Sequence, residues 1–506
     1  MRFNKAVTFL TIGVGVLAAE LAEAVTTNVD WSVAGTGAWE TAANWLPALV
    51  PTVANESQAR VLNGGTVEIT QTGQTAKLIL LAFSAGETGN IHLISGSLET
   101  SADQNLCKGG VSLFTQEVGT TNKCGGLITI GEQSGARGTY RLNGGVLSVY
   151  TNEINIGYYA GATGAFEQAG GVLGSIGSSK YLYLGRSTGA VGNYLMNGGS
   201  ILFTNTNYVA VGYSGVGHFT QNNGSVVVDQ QFNVGKLAGA YGDYAMNNGS
   251  FLARWPVIGE SSGGTGLVTV AGGNFQGGFK FSIGQSGFGS LYQSGGVVGV
   301  TNQYLYLGEL SSGVGTYILS GTGQLQLTNA ANYLYVGFSG NGTFVQSNGV
   351  VAVANYLIVG KNANASGLYR IINGSLTVAQ NVVLGEQASA TGTLQVVGSA
   401  ATINVKTYQQ NTNSTLDIQL DNGGVSPINV SSNASVNGEL KIGGTAQFYY
   451  SSTVTVINAS VLSGTFSKKT FVPPLISAEV VYDVANGDVK VTHFKYPDRG
   501  MLISIN

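Results

Sequence analysis

Apolar and polar positions alternate with period two along most of the chain, in short runs separated by Gly- and Asn-rich steps. Such alternation places every second side chain on one face of a pleated strand, and no helix-period segment interrupts it. The runs recur in register. An aliphatic residue followed by Gly appears eleven times, from Gly131 through Gly157, Gly185, Gly212, Gly235, Gly259, Gly284, Gly308, Gly337 and Gly360 to Gly385, at spacings of 23 to 29 residues. A period near 25 predicts a solenoid, in which each unit buries its apolar face only against its neighbours.

A second strand follows each marker Gly at fixed phase. Tyr140, Phe166, Tyr194, Tyr244, Val268, Tyr317, Tyr369 and Leu394 lie nine residues after their glycines, and Phe219, Leu291 and Phe344 lie seven after theirs. The indel is two residues and never one, which keeps every side chain on its face. A turn such as Asn143-Gly144-Gly145 and a third alternating stretch such as Val226-Val227-Val228 complete the unit. The pattern predicts an all-β fold, a parallel β-helix (β-solenoid) of about eleven or more coils with three short strands per coil and capped ends. Pro256 sits inside one first strand, where a bulge or a lost hydrogen bond is expected.

Composition narrows the class. The 506 residues include 77 Gly but only 7 Pro, and 43% are apolar, so collagen and disorder are both excluded. With 22 basic and 25 acidic residues, the net charge of −3 gives no footprint for nucleic acid. Arg2 and Lys5 precede the apolar run Ala6–Ala19, and Ala22-Glu23-Ala24 offers a signal-peptidase site, so residues 1–24 read as a signal peptide and the mature chain as secreted, without a membrane span. Residues 25–126, with three of the four Trp, read as an N-terminal cap and first irregular coils. Residues 127–400 are the regular repeats, 401–466 are C-terminal β coils, and 467–506 form a charged, Pro-containing cap.

The opening WSVAGTGAWETAANW, the Gly-rich repeats, and the tail segments INVSSNASVNGELKIGG and VTVINASVLSGTF resemble secreted bacterial proteins with autotransporter-type β-strand repeats. The resemblance covers most of the chain. It implies an exported, surface-located, passenger-like β-helix with an adhesive or structural role. The chain departs from the full autotransporter plan, because its tail lacks the string of amphipathic strands of an outer-membrane barrel. Attachment or release by another route is the expectation.

Candidate chemistry is sparse. Between residues 131 and 400 there are eight carboxylates, Glu132, Glu153, Glu167, Asp229, Asp243, Glu260, Glu309 and Glu386. Glu132, Glu260, Glu309 and Glu386 each follow a marker Gly, in a column that also holds Arg186, Lys236, Gln285 and Lys361, which reads as a solvated turn edge rather than a paired acid and base. His218 is the only repeat histidine, and the coil pattern places no acid beside it. No metal-ligand spacing, phosphate loop or cofactor motif is present. Cys107 and Cys124 are a disulfide candidate in an exported chain. Tyr181, Tyr183, Tyr208, Tyr304, Tyr306, Tyr333, Tyr335 and Tyr356 alternate with the core residues of the first strand, so an exposed tyrosine face is expected to bind glycans or a partner surface. The alternative is a β-helix polysaccharide lyase or glycoside hydrolase.

Overall fold

The computed structural model describes residues 26–150, 153–175, 181–204 and 208–497. The segment 1–24, expected to be a signal peptide, lies outside the described residues. The chain winds into a parallel β-solenoid of about 16 turns, 59% strand and almost without helix. Each coil carries three strands on three faces, for example Tyr304–Leu307, Val314–Leu319 and Gln324–Leu327. Between the two ends the strands pair in parallel with their counterparts one coil on, so Tyr304 stands over Tyr333 and Tyr317 over Phe344. One continuous apolar core runs inside the rod from Val29 to Phe494.

The marker glycines are demanded by geometry. Gly308 has φ +65°, and a Cβ there would lie 2.4 Å from the Asn341 carbonyl of the next coil. Both the left-handed backbone and the missing side chain are therefore required. The coils before Gly131 use other residues at this position. Ala82 and Cys107 occupy it with φ +46° and +86°, which hides these turns from a search for Gly. A second glycine column lies inside the rod at the start of the second strand. A Cβ at Gly315 would meet the Ile283 carbonyl at 2.1 Å, so the coils approach too closely there for any side chain.

The phase-locked aromatic residues of the second strand all point inward. Tyr140, Tyr194, Tyr317 and Tyr369 donate their hydroxyls to Gln116, Gln168, Gln293 and Gln346 of the preceding coil at 2.5, 2.6, 2.5 and 2.8 Å, and Tyr244 does so to Gln221. Each Gln then donates its amide to turn carbonyls, as Gln293 does to that of Gly296 at 3.0 Å. A coil ending in Gln thus alternates with a coil carrying Tyr, and every buried polar group in the pair is satisfied.

Both ends exchange parallel for antiparallel pairing. Trp45 pairs antiparallel with Trp31, folding the chain back over the open first coil, and Trp31, Trp39 and Trp45 interlock edge to face at 4.9 and 5.1 Å. At the other end the hairpin of Ser477–Asp483 and Asp488–Lys495 closes antiparallel against Thr453–Gly464. Unpaired strand edges, which would otherwise template further association, are covered by these segments.

The disulfide expectation is corrected: Cys107 and Cys124 are free and buried. Cys107 sits at a marker position and donates to the Gly110 carbonyl at 2.9 Å, whereas Cys124 points into the core from the end of Thr121–Cys124. The two residues end strands of different faces, and burial pushes the Cys124 thiol up to about 11. At Pro256 the expected irregularity is present. The register shifts between Val228 and Gln231 against Ala253 and Trp255, placing one extra residue in the coil before the proline.

Candidate binding face

The outward side of the first strand is built by counting back from the marker Gly. The residues four positions before it are Tyr181, Tyr208, Gln231, Trp255, Lys280, Tyr304, Tyr333 and Tyr356 in eight successive coils. Parallel pairing puts Tyr181 over Tyr208, Gln231 over Trp255, Lys280 over Tyr304 and Tyr304 over Tyr333. Tyr181 and Tyr208 are therefore joined to Tyr304, Tyr333 and Tyr356 in one column, through Gln231, Trp255 and Lys280. Trp255 and Lys280 escaped a search for tyrosine, although their distance from Gly259 and Gly284 gives them away. At about 4.8 Å per coil the column spans about 34 Å.

The second outward column, two positions before the marker, is not exposed. Tyr183, Tyr306 and Tyr335 are only 3%, 9% and 6% accessible, because the turn after each marker Gly folds over them. Arg186 stacks on Tyr183 and Tyr213 at 4.5 Å, Phe338 meets Tyr306 and Tyr335 edge-on at 4.9 Å, and Lys361 lies 5.4 Å from the centre of Tyr335. With Ile358 and Val383, Tyr306 and Tyr335 form a small second core outside the rod, against which Tyr304, Tyr333 and Tyr356 pack half-buried. The exposed ladder of eight rings is thus corrected to an outer row resting on a buried one. Burial raises the phenols of Tyr183, Tyr306 and Tyr335 and pushes Tyr208 up to about 12, so all four stay neutral at physiological pH.

The carboxylates of the turn edge are paired rather than merely solvated. Lys236 meets Glu260 at 2.6 Å, Lys280 meets Glu309 at 2.7 Å and Lys361 meets Glu386 at 2.5 Å, each pair bridging neighbouring coils. Glu132 accepts from Asn105, and Arg186 lies 3.6 Å from Glu153. His218 does have an acid beside it: Asp243 stands one coil on in register, with its Oδ2 2.5 Å from Nδ1. His92 Nε2 lies 3.0 Å from Glu117 of the next coil, two residues beyond its register partner Thr115, and His493 meets Glu479 across the antiparallel C-terminal hairpin. Among the described residues no group of three or more His, Cys, Asp or Glu is placed to hold a metal ion. No helix among them is long and apolar enough to cross a membrane.

Two depressions open where the bulge before Pro256 bends the third face into the first. One, of about 290 Å³, is lined by Tyr181, Tyr208, Gln230, Gln231 and Trp255. The other, of about 560 Å³, begins across Gln230 and is lined by Leu252, Arg254, Phe279 and Asn302 among others. A third lies farther along the same corner, beside the stacked Asn404, Asn429 and Asn458.

The protein is a parallel β-solenoid with a mixed aromatic and amide column along one outer face. No family model, curated protein or solved structure matches the chain.

Proposed function

We propose that this chain is a secreted or surface-displayed β-helical rod with a structural and adhesive role, holding a linear polysaccharide along its aromatic column. The observation that carries this reading is the unbroken run of column positions from Tyr181 to Tyr356. Sugar rings stack their C–H faces on aromatic rings, and a coil rise of about 4.8 Å is comparable to the advance of one sugar along an extended glycan. Lys280 and its Glu309 partner, beside Tyr304, supply polar contacts at the rim. Export is supported by Arg2, Lys5 and the apolar run that follows them.

The test is incubation of the mature protein with a panel of insoluble polysaccharides, reading bound protein and released sugar in the same tubes. Retention without sugar release, abolished by the combined change Tyr208→Ala, Trp255→Ala, Tyr304→Ala, Tyr333→Ala and Tyr356→Ala in a chain that still melts cooperatively, is the expected result. Retention that survives the combined change removes the column from the account. Sugar release would replace binding with catalysis.

A further inference from the structure

We propose that the column contains one discrete sugar-binding cleft, between Tyr208 and Trp255, which grips a single neutral pyranose unit of the bound chain. The proposal rests on the glycan-binding reading and gives it an anchor point and a ligand class.

The cleft is made by one missing ring. In the C-terminal part of the column Tyr304, Tyr333 and Tyr356 occupy consecutive coils, and their centres are 5.3 and 5.0 Å apart. Neighbouring rings touch, so that stretch is a surface without slots. In the N-terminal part the position after Tyr208 is Gln231, and the next aromatic residue is Trp255. The two rings therefore stand two coil rises apart, about 10 Å, with an amide between them. The extra residue before Gln231 swings Gln230 to the side of the gap, where it lines both this depression and the one beyond.

The chemistry of the lining selects the ligand. Aromatic walls suit the apolar faces of a pyranose, and the Gln230 and Gln231 amides each offer donors and an acceptor, which matches hydroxyl groups that do both. The nearby cations are engaged by the walls: Lys236 lies 5.0 Å from the centre of Tyr208 and pairs with Glu260, and Arg254 lies 4.7 Å from the centre of Trp255. Asp229 next to the cleft offsets Arg254 in charge, so no excess positive field favours an acidic sugar. The Tyr208 hydroxyl is already bonded to that of Tyr183 at 2.7 Å, which fixes its ring for stacking.

Trp255 makes the cleft readable. The other three tryptophans, Trp31, Trp39 and Trp45, are buried in the cap, whereas Trp255 is partly exposed. The full mature chain is titrated with cellohexaose, xylohexaose and mannohexaose as neutral probes and with hexagalacturonate as an acidic one, following tryptophan emission and binding heat. The expected result is a saturable emission change with at least one neutral probe. Gln231→Leu, which keeps the size and removes the amide, should weaken it about tenfold or more at unchanged melting temperature. Trp255→Phe should abolish the emission change and leave weakened calorimetric binding. Silence of Trp255 toward every neutral probe, in a protein still retained on insoluble polysaccharide, overturns the cleft and leaves the column reading standing. A response to hexagalacturonate alone overturns the neutral class. Loss of both retention and response overturns both readings.

Discussion

Tyr317 and Tyr333 belong to adjoining coils and face opposite ways. Tyr317 is fully buried on the second face, stacked at 4.7 Å on Phe344, with its hydroxyl on Gln293 at 2.5 Å. Tyr333 lies half-buried on the outside of the first face, against Tyr304 and Tyr356. Inside, the hydroxyl has no water and must bring its own acceptor, so each inward Tyr comes with a Gln, one coil earlier for Tyr140, Tyr194, Tyr244, Tyr317 and Tyr369 and two residues on, at Gln410, for Tyr408. Outside, the ring keeps an edge in solvent and can meet a ligand. Column position, more than residue type, decides what a tyrosine does in this rod.

Alkali offers the strongest test of that contrast. Burial raises the inward phenols of Tyr140, Tyr194, Tyr244, Tyr317, Tyr369 and Tyr408 above the ordinary 10.0. For a group whose folded value is raised, stability is fully present below the unfolded value and is lost as the pH climbs toward the folded one. Above pH 10 each inward Tyr should therefore cost about 1.4 kcal/mol per pH unit, and six together should unfold the rod steeply. Phenolate absorbance from these six should stay absent while the rod is folded and appear in one jump at unfolding. A smooth titration of all tyrosines in a still-folded chain would erase the distinction.

Substitution separates the columns next. Tyr317→Ala should cost about 3–5 kcal/mol in denaturant unfolding, because it empties a fully packed site. Tyr333→Ala, on a half-exposed ring, should cost about 1–2 kcal/mol and be felt chiefly in retention on polysaccharide. The single-atom change Tyr317→Phe isolates the hydrogen bond. It leaves the Gln293 acceptor buried without its donor and should cost about 1–3 kcal/mol, while Tyr333→Phe stays within about 0.5 kcal/mol. Adding Gln293→Leu to Tyr317→Phe should deepen the loss, because it also strips the amide donor from the Gly296 and Gln324 carbonyls.

The winding was legible because its causes are local. Gly at positive φ, two-residue indels and period-two alternation all mark the backbone directly, and they located the coils from Gly131 to Gly385. Coils turning at Ala82 or Cys107 were invisible, since their strain is accepted by residues that carry no turn signature. The inward or outward sense of each tyrosine could be read from parity. The burial of Tyr183, Tyr306 and Tyr335 could not, because it is caused by turn residues such as Arg186 and Phe338 folding back from outside the strand. The partner of His218 was equally hidden: Asp243 is 25 residues away and meets it only because one coil stands on the next. Trp255 was in plain sight at the column's position and lacked only the expected residue type.

Acid should act on the outside alone, and weakly. Glu117 is held below its ordinary 4.5 by its hydrogen bond to His92, Glu439 by that from Thr470, and Asp421 below 3.8 by the Ser399 backbone N–H. For a carboxylate whose folded value is depressed, stability is fully present above the unfolded value and is lost as the pH falls through the folded one. The denaturation midpoint should therefore be flat from pH 7 to about 5 and decline only below 4.5. These groups lie near the surface, so their summed contribution should be about 1 kcal/mol or less and should shrink further in salt. The core contributes nothing to this limb, because its tyrosines and thiols are already protonated there. A sharp acid transition above pH 5 would mean that a charge inside the rod, rather than along its edge, helps to hold it together.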